Sequence, residues 1–422
     1  MNRKLTPILP FILVTSLFFM WGLANNMTDT LLAAFRRIMS MTDFQTSWIQ
    51  IAFYGSYFCL ALPAAIFIKR FTYKAGILLG LGMFITGGLL FYPASITMTY
   101  GHFLGALFIL AGGLSVLETT ANPYIIAMGA EETGTRRLNF AQSFNPIGSI
   151  TGVVISKFFI LSHLNHAGEA ERAMMTHEEL TLIRSQELSA MMGPYVGVAL
   201  FLLVIWLVIA FTRMPIASDT SVSSVNVKDS LRRLLKNSRY TSGVVAQFFY
   251  VGAQIGVWSF TIRYVMQELG TNEEQSASYY IAALVVFTVL RFVFTGLMKY
   301  FSPRNLLSIS ALLAIVCTAG VITLSGYPAV IALVAISACM SLMFPTIYGI
   351  SVRGLGGDTK IGASGLIMAI LGGAVLTAVQ GQVSDLTGSI KLAFLVPLTC
   401  FVLIAIYGYF GSFNIFRREP VS

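Results

Sequence analysis

The run AGILLGLGMFITGGLLFYPASITMTYGHFLGALFILAGGLSVLETTANPYIIAM, residues 75–128, carries a single ionised side chain, Glu118. A helix crossing the hydrocarbon core of a bilayer needs about 20 mostly apolar residues. This run holds two such stretches, 75–95 and 102–128, joined by a short polar turn. Backbone polar groups in lipid must be satisfied within the segment, so both read as helices. The ~10-residue alternation of a transmembrane β-barrel strand is absent.

The rest of the chain repeats this pattern. Hydrophobic residues make up 56% of its 422 positions and charged residues 11%, where a soluble domain carries about 25% charged. Mean hydropathy is +0.77. Cutting at charged and turn-rich gaps gives twelve spans: 8–34, 45–68, 75–95, 102–128, 138–161, 192–212, 240–266, 276–298, 305–324, 327–350, 360–383 and 391–415. The fold class is therefore an all-α membrane protein. The N-terminus is basic and then apolar, like a signal peptide. It holds Asn25, Asn26 and Asp29 with no clear cleavage site, so it reads as a retained first span.

Lys and Arg set the orientation. With the N-terminus inside, most of the 27 basic residues fall in inside loops, among them Arg3, Lys4, Lys69, Arg70, Lys74, Arg136, Arg137, Arg232, Arg233, Arg417 and Arg418. Both termini are expected in the cytoplasm of a cell whose inner membrane holds the chain. Two loops are long. Residues 162–191 lie outside, carry His163, His166 and His177 and have the composition of a short surface helix. Residues 213–238 lie inside and turn basic toward their end. The division follows: a six-helix bundle over 1–212, a linker over 213–239 and a second six-helix bundle over 240–422. The basic turn Lys69-Arg70-Phe71 after span 2 has a counterpart, Lys299-Tyr300-Phe301, after span 8. A duplication would place it there, and internal repeats of this kind mark transporters, with the ligand near the midplane.

The composition also excludes much. The net charge of +9 is that of cytoplasmic loops and forms no basic patch interleaved with aromatics, so no nucleic-acid partner is expected. Cys59, Cys317, Cys339 and Cys400 sit in apolar runs with no CxxC. No cluster suits a metal, and no cofactor is implied. Walker A, nucleophile-elbow and HExxH motifs are all missing, so the chain does not read as an enzyme or an ATP-driven pump.

Of 18 carboxylates, only Asp29 and Glu118 fall inside spans. A charge at mid-bilayer costs at least ~2.5–3.5 kcal/mol, so such residues mark ion or substrate paths. Asn25 and Asp29 are i,i+4, Asn26 and Asp29 i,i+3, Glu118 and Asn122 i,i+4, and Gln142 and Asn145 i,i+3, spacings that share a helix face. Amides and carboxylates suit a polyhydroxylated ligand, because each hydroxyl donates and accepts. The competing reading is interhelical hydrogen bonding. Span 7 aligns Gln247, Gln254 and Trp258, and the indole either packs a sugar ring or packs the bundle. Arg291 lies deep in span 8 and needs a partner. Small-xxx-small pairs at Gly76/Gly80, Gly148/Gly152 and Gly252/Gly256 allow close helix packing.

The stretches Asn25-Asn26-Met27-Thr28-Asp29, Leu117-Glu118-Thr119-Thr120-Ala121-Asn122-Pro123, Ala141-Gln142-Ser143-Phe144-Asn145, Tyr250-Val251-Gly252-Ala253-Gln254 with Trp258-Ser259, and Phe344-Pro345-Thr346 resemble the fucose–proton symporter family of the major facilitator superfamily. The likeness runs from span 1 to span 12 and departs from the family pattern at Thr28 and Pro146. It implies two six-helix bundles, proton-coupled import of a neutral monosaccharide by alternating access, Glu118 as proton carrier and Asp29 in recognition and coupling. Together with Asp29 and Glu118, the residues Asn25, Asn26, Asn122, Gln142, Asn145, Gln247, Gln254 and Trp258 are the expected sugar contacts. Implied partners are a small sugar, protons and the lipid bilayer, with a monomer as the working unit. A glucose/galactose or N-acetylglucosamine importer, or a cation-coupled one, is the alternative on this scaffold.

Overall fold

The computed structural model describes residues 7–38, 43–97, 99–159, 174–215 and 226–413, with side chains at all of these except 28–38, 43–47, 50, 157, 177, 189–192, 273 and 410–413. The elements are helices: α1 (Ile8–Ile38), α2 (Asp43–Arg70), α3 (Tyr73–Thr97), α4 (Tyr100–Ala127), α5 (Gly134–Gln142), α6 (Phe144–Phe159), α7 (His177–Phe211), α8 (Val227–Lys236), α9 (Ser238–Leu269), α10 (Glu273–Leu297), α11 (Pro303–Thr323), α12 (Tyr327–Met340), α13 (Met343–Val352), α14 (Thr359–Met368), α15 (Gly372–Thr387), α16 (Ile390–Ala393) and α17 (Leu395–Phe413). Short 3₁₀ turns lie at Glu131–Thr133, Gly356–Asp358 and Ala369–Leu371. No strand occurs among the described residues.

Among the described residues, eleven stretches are long and apolar enough to cross a membrane. The remaining expected span, 138–161, is cut in two at Ser143, into α5 of 9 residues and α6 of 16. Proline chemistry accounts for the cut. Pro146 has no N–H to give the Gln142 carbonyl four residues earlier. The tenth span breaks the same way, between α12 and α13 at Ser341–Leu342, where Pro345 leaves the Ser341 carbonyl without its helical donor.

The outside loop expected over 162–191 is described only from residue 174 on, and its later part joins span 6 in one helix. A capping box at Thr176 and Glu179 starts α7, which then runs unbroken for 35 residues into the membrane. Reciprocal side-chain and backbone bonds satisfy the orphan N–H groups there. Residues 160–173, with His163 and His166, lie outside the described residues, as do the basic residues of both termini.

Helix faces match a lipid solvent. Leu200, Phe201, Leu203, Val204, Leu207 and Val208 of α7 are all exposed, a patch that would drive aggregation in water. The chain falls into two compact units. In one, 7–121 and 144–215, α1 and α6 meet backbone to backbone. A Cβ at Gly22 would strike the Asn145 carbonyl, and one at Gly148 or Gly152 the carbonyls of Phe19 or Leu23. Only glycine permits that approach. In the same unit Lys74 Nζ caps the end of α7, donating to Ala210 O (2.7 Å) and Thr212 O (2.9 Å). The Trp206 indole donates to Leu78 O at 2.9 Å.

The other unit holds Asn122–Ser143 with 226–413. Arg233 of α8 pairs bidentately with Asp358, at 2.8 and 2.7 Å, and that hydrogen-bonded carboxylate raises the guanidinium pKa. At another corner Glu268 takes Lys391 Nζ at 3.1 Å and the Gly326 N–H at 3.0 Å.

Candidate functional site

Glu118, one of the two carboxylates that stood out in the sequence, is 3% exposed on α4. The Tyr57 hydroxyl on α2 donates to its Oε1 at 3.0 Å. Its Oε2 is buried with no hydrogen-bond partner. Tyr57 is itself fixed: the Ser115 hydroxyl, one turn before Glu118, donates to the Tyr57 carbonyl at 3.0 Å, and Ser56 donates to Phe108 O at 2.7 Å. These bonds lock α2 against α4 at the carboxyl. Tyr57 went unread in the sequence, because a tyrosine in an apolar run looks like packing until its hydroxyl is given a partner.

In the same unit, Asn25 buries its Oδ1 without a partner, and Asn26 Nδ2 donates to Gly22 O at 3.4 Å. Asn145 Nδ2 donates to Phe18 O at 3.2 Å. That amide nitrogen therefore ties α6 to α1, as the interhelical reading had it. The Asp29 backbone is helical in α1, and its side chain lies outside the described residues.

A second polar group forms in the other unit. Gln142 Nε2 donates to Asn122 Oδ1 at 2.9 Å, leaving Asn122 Nδ2 buried and unpartnered. The pair meets because α4 ends and α5 returns within a few residues. Arg291 finds the partner that the sequence could not name. Its Nη1 donates to the Gln142 carbonyl at 3.0 Å and its Nε to the Ser341 carbonyl. Nearby, Asn139 Nδ2 donates to Thr346 Oγ1 at 3.2 Å.

The span-7 residues separate in role. Gln247 is 0% exposed, with both amide atoms lacking partners. Gln254 is half-buried. Trp258 donates its indole N–H to Ser337 Oγ at 3.2 Å and stands edge-on to Phe287, ring centroids 5.0 Å apart. Tyr250, fully buried, donates to Met340 O at 3.1 Å. Among the described residues no cluster of His, Cys, Asp and Glu could hold a metal ion.

Such a set holds hydrogen-bonding groups in reserve. Buried polar atoms in folded proteins nearly always have partners, so Glu118 Oε2, Asn122 Nδ2, Asn25 Oδ1 and the Gln247 amide stand out with unmet hydrogen-bonding capacity.

Comparison with known proteins agrees with this chemistry. A model of the Major Facilitator Superfamily matches residues 12–361. The chain is 40% identical to the L-fucose-proton symporter of Haemophilus influenzae, over 97% of this chain and 98% of that one. It is 32% identical to a glucose/galactose transporter of Brucella abortus, over 94% and 93%. It superposes on the crystal structure of an Escherichia coli fucose:proton symporter with a TM-score of 0.90 at 38% identity, covering 99% of this chain and all of that one. This is a multi-pass membrane protein. The chain belongs to the fucose–proton symporter family of the major facilitator superfamily.

Proposed function

We propose that this protein imports a neutral monosaccharide, L-fucose, together with protons, by alternating access. It works as a monomer in a bacterial inner membrane with both termini cytoplasmic, as two six-helix halves divided near residues 213–239. The observation that carries the reading is the Glu118 carboxyl, buried, held by Tyr57 on one oxygen and open on the other. The 40% identity to a named L-fucose-proton symporter supports the choice of sugar.

The mechanism follows from that asymmetry. A proton from the outside settles on Glu118 Oε2, while Tyr57 keeps its bond to Oε1. Neutralisation removes the desolvation cost of enclosing a charge in a dry cavity. Asp29, Asn25, Asn26, Asn122, Gln142, Asn145, Gln247 and Gln254 offer donors and acceptors to sugar hydroxyls, and Trp258 a face for the ring. With sugar and proton both bound, the transporter reorients and the proton leaves to the more alkaline cytoplasm.

The test is uptake of radiolabelled L-fucose into proteoliposomes with an inside-alkaline pH gradient. Excess unlabelled D-glucose, D-galactose and N-acetylglucosamine serve as competitors. Accumulation that collapses with a protonophore and resists the competitors is expected. Gradient-driven uptake of glucose or galactose instead would move the substrate toward that of the 32%-identical relative. A sodium requirement would replace the proton, and no pH-dependent sugar uptake at all would sink the reading.

A further inference from the structure

Arg291 is 3% exposed in the last third of α10, and a buried cation needs strong compensation. Among the described residues its partners are not carboxylates. They are the Gln142 and Ser341 carbonyls and the face of Phe287, 4.4 Å from guanidinium carbon to ring centroid. Both carbonyls are special. Each lies four residues before a proline, Pro146 or Pro345, and so lacks the N–H that a helix would supply. A guanidinium is a rigid fork of five donors and takes two acceptors in fixed directions, which an ammonium on a flexible stem does not.

The consequences run along two arms. Through its carbonyl, Gln142 is held in place, and its side-chain amide is the donor to Asn122 at 2.9 Å. Through the cation–π contact, Phe287 is held in place, and its ring stands edge-on to Trp258 at 5.0 Å, while Ser337 fixes the indole N–H. One guanidinium thus braces an amide pair on one side and an aromatic platform on the other.

We infer that Arg291 is a positioning residue for sugar binding, holding Gln142–Asn122 and Phe287–Trp258 in register by satisfying the two proline-freed carbonyls. This rests on the proposed role of those residues in sugar recognition. Arg291 touches no substrate in this scheme. It acts through the geometry of groups that do.

The experiment measures equilibrium binding of radiolabelled L-fucose to the full-length protein in nanodiscs, with thermal unfolding in parallel. It compares wild type, Arg291→Met, Arg291→Lys, Pro146→Ala and the double variant Arg291→Met/Pro146→Ala. Losing a hydrogen bond to a charged group is worth about 1.5–3 kcal/mol, so Arg291→Met is expected to weaken binding about ten- to a hundredfold. Arg291→Lys keeps the charge but not the fork and is expected to recover only part of this. Pro146→Ala restores an N–H for the Gln142 carbonyl, so the same Met substitution is expected to do less harm in that background.

Wild-type affinity in folded Arg291→Met overturns the inference, as does a lowered melting temperature with unchanged affinity. Full rescue by lysine removes the fork from it. Equal losses with and without Pro146 sever the link to Gln142. If the Met variant does not fold, the lysine and double variants decide. If wild type binds neither L-fucose nor the competitor sugars, the proposed function fails by itself. Trp258 emission then judges Arg291, in a protein with Trp21, Trp48 and Trp206 changed to Phe. Arg291→Lys is expected to shift that emission, and an unshifted spectrum overturns the inference.

Discussion

The Tyr57 hydroxyl reaches Glu118 Oε1 at 3.0 Å from a neighbouring helix, and the second carboxyl oxygen is left without a donor. In the proposed mechanism this divides one carboxyl between two jobs. One oxygen is anchored and keeps the side chain oriented. The other is open to a proton, and the bond from Tyr57 is compatible with either protonation state.

Tyr57→Phe removes the anchor and leaves the carboxyl. The loss of a hydrogen bond to a charged group, about 1.5–3 kcal/mol, is expected to lower pH-driven sugar accumulation about tenfold or more. Sugar exchange at equal pH should persist. Both are measured in the same proteoliposomes, and equal losses in the two assays would remove Tyr57 from coupling.

Glu118→Gln mimics the protonated carboxyl. Exchange of internal for external sugar is expected to survive while uphill accumulation is abolished. A variant that still concentrates sugar against its gradient would take the proton away from Glu118. Asp29→Asn is expected to damage binding and transport together, and unchanged kinetics in that variant would exclude Asp29 from the site.

The 2.9 Å bond from Gln142 to Asn122 is tested by a double-mutant cycle. Gln142→Ala and Asn122→Ala are each expected to weaken sugar binding. Their effects should fall short of additivity by about 0.5–1.5 kcal/mol, the net value of one such bond. Strict additivity would mean that the two amides act independently.

At Gly148 even one methyl group meets the Phe19 carbonyl. Overpacking of this kind typically costs about 1–3 kcal/mol. Gly148→Val is therefore expected to lower the thermal midpoint and the yield of folded protein, while Gly55→Ala, with nothing near its Cβ, is silent. Melting curves in detergent compare the two.

Much of this was readable before any coordinates. Span number followed from the scarcity of charge, and the glycine pairs 76/80, 148/152 and 252/256 each sit against a neighbouring helix. Asp29 and Glu118 stood out because ionisable groups are rare in lipid. The breaks at Ser143 and Ser341 were latent in Pro146 and Pro345. A proline announces a freed carbonyl but not its acceptor's partner, and that partner, Arg291, lies 149 residues from Gln142. Tyr57 was hidden for the same reason: its bond to Glu118 spans 61 residues, and no periodicity reports a contact at that range. Of the outside loop expected over 162–191, residues 177–191 are helical and continuous with span 6 after a capping box at Thr176, a continuity that composition alone does not report.

The glycine contact between α1 and α6 has a consequence for biogenesis. Asn145, on α6, reaches a carbonyl 127 residues earlier, so the first helix enters the membrane long before its partner has been translated. At about 5–20 residues per second, α1 waits on the order of ten seconds for the helix that packs against Gly22. Span 1 is thus inserted early and docked late, and assembly of this bundle is timed by the ribosome rather than by the speed of helix packing.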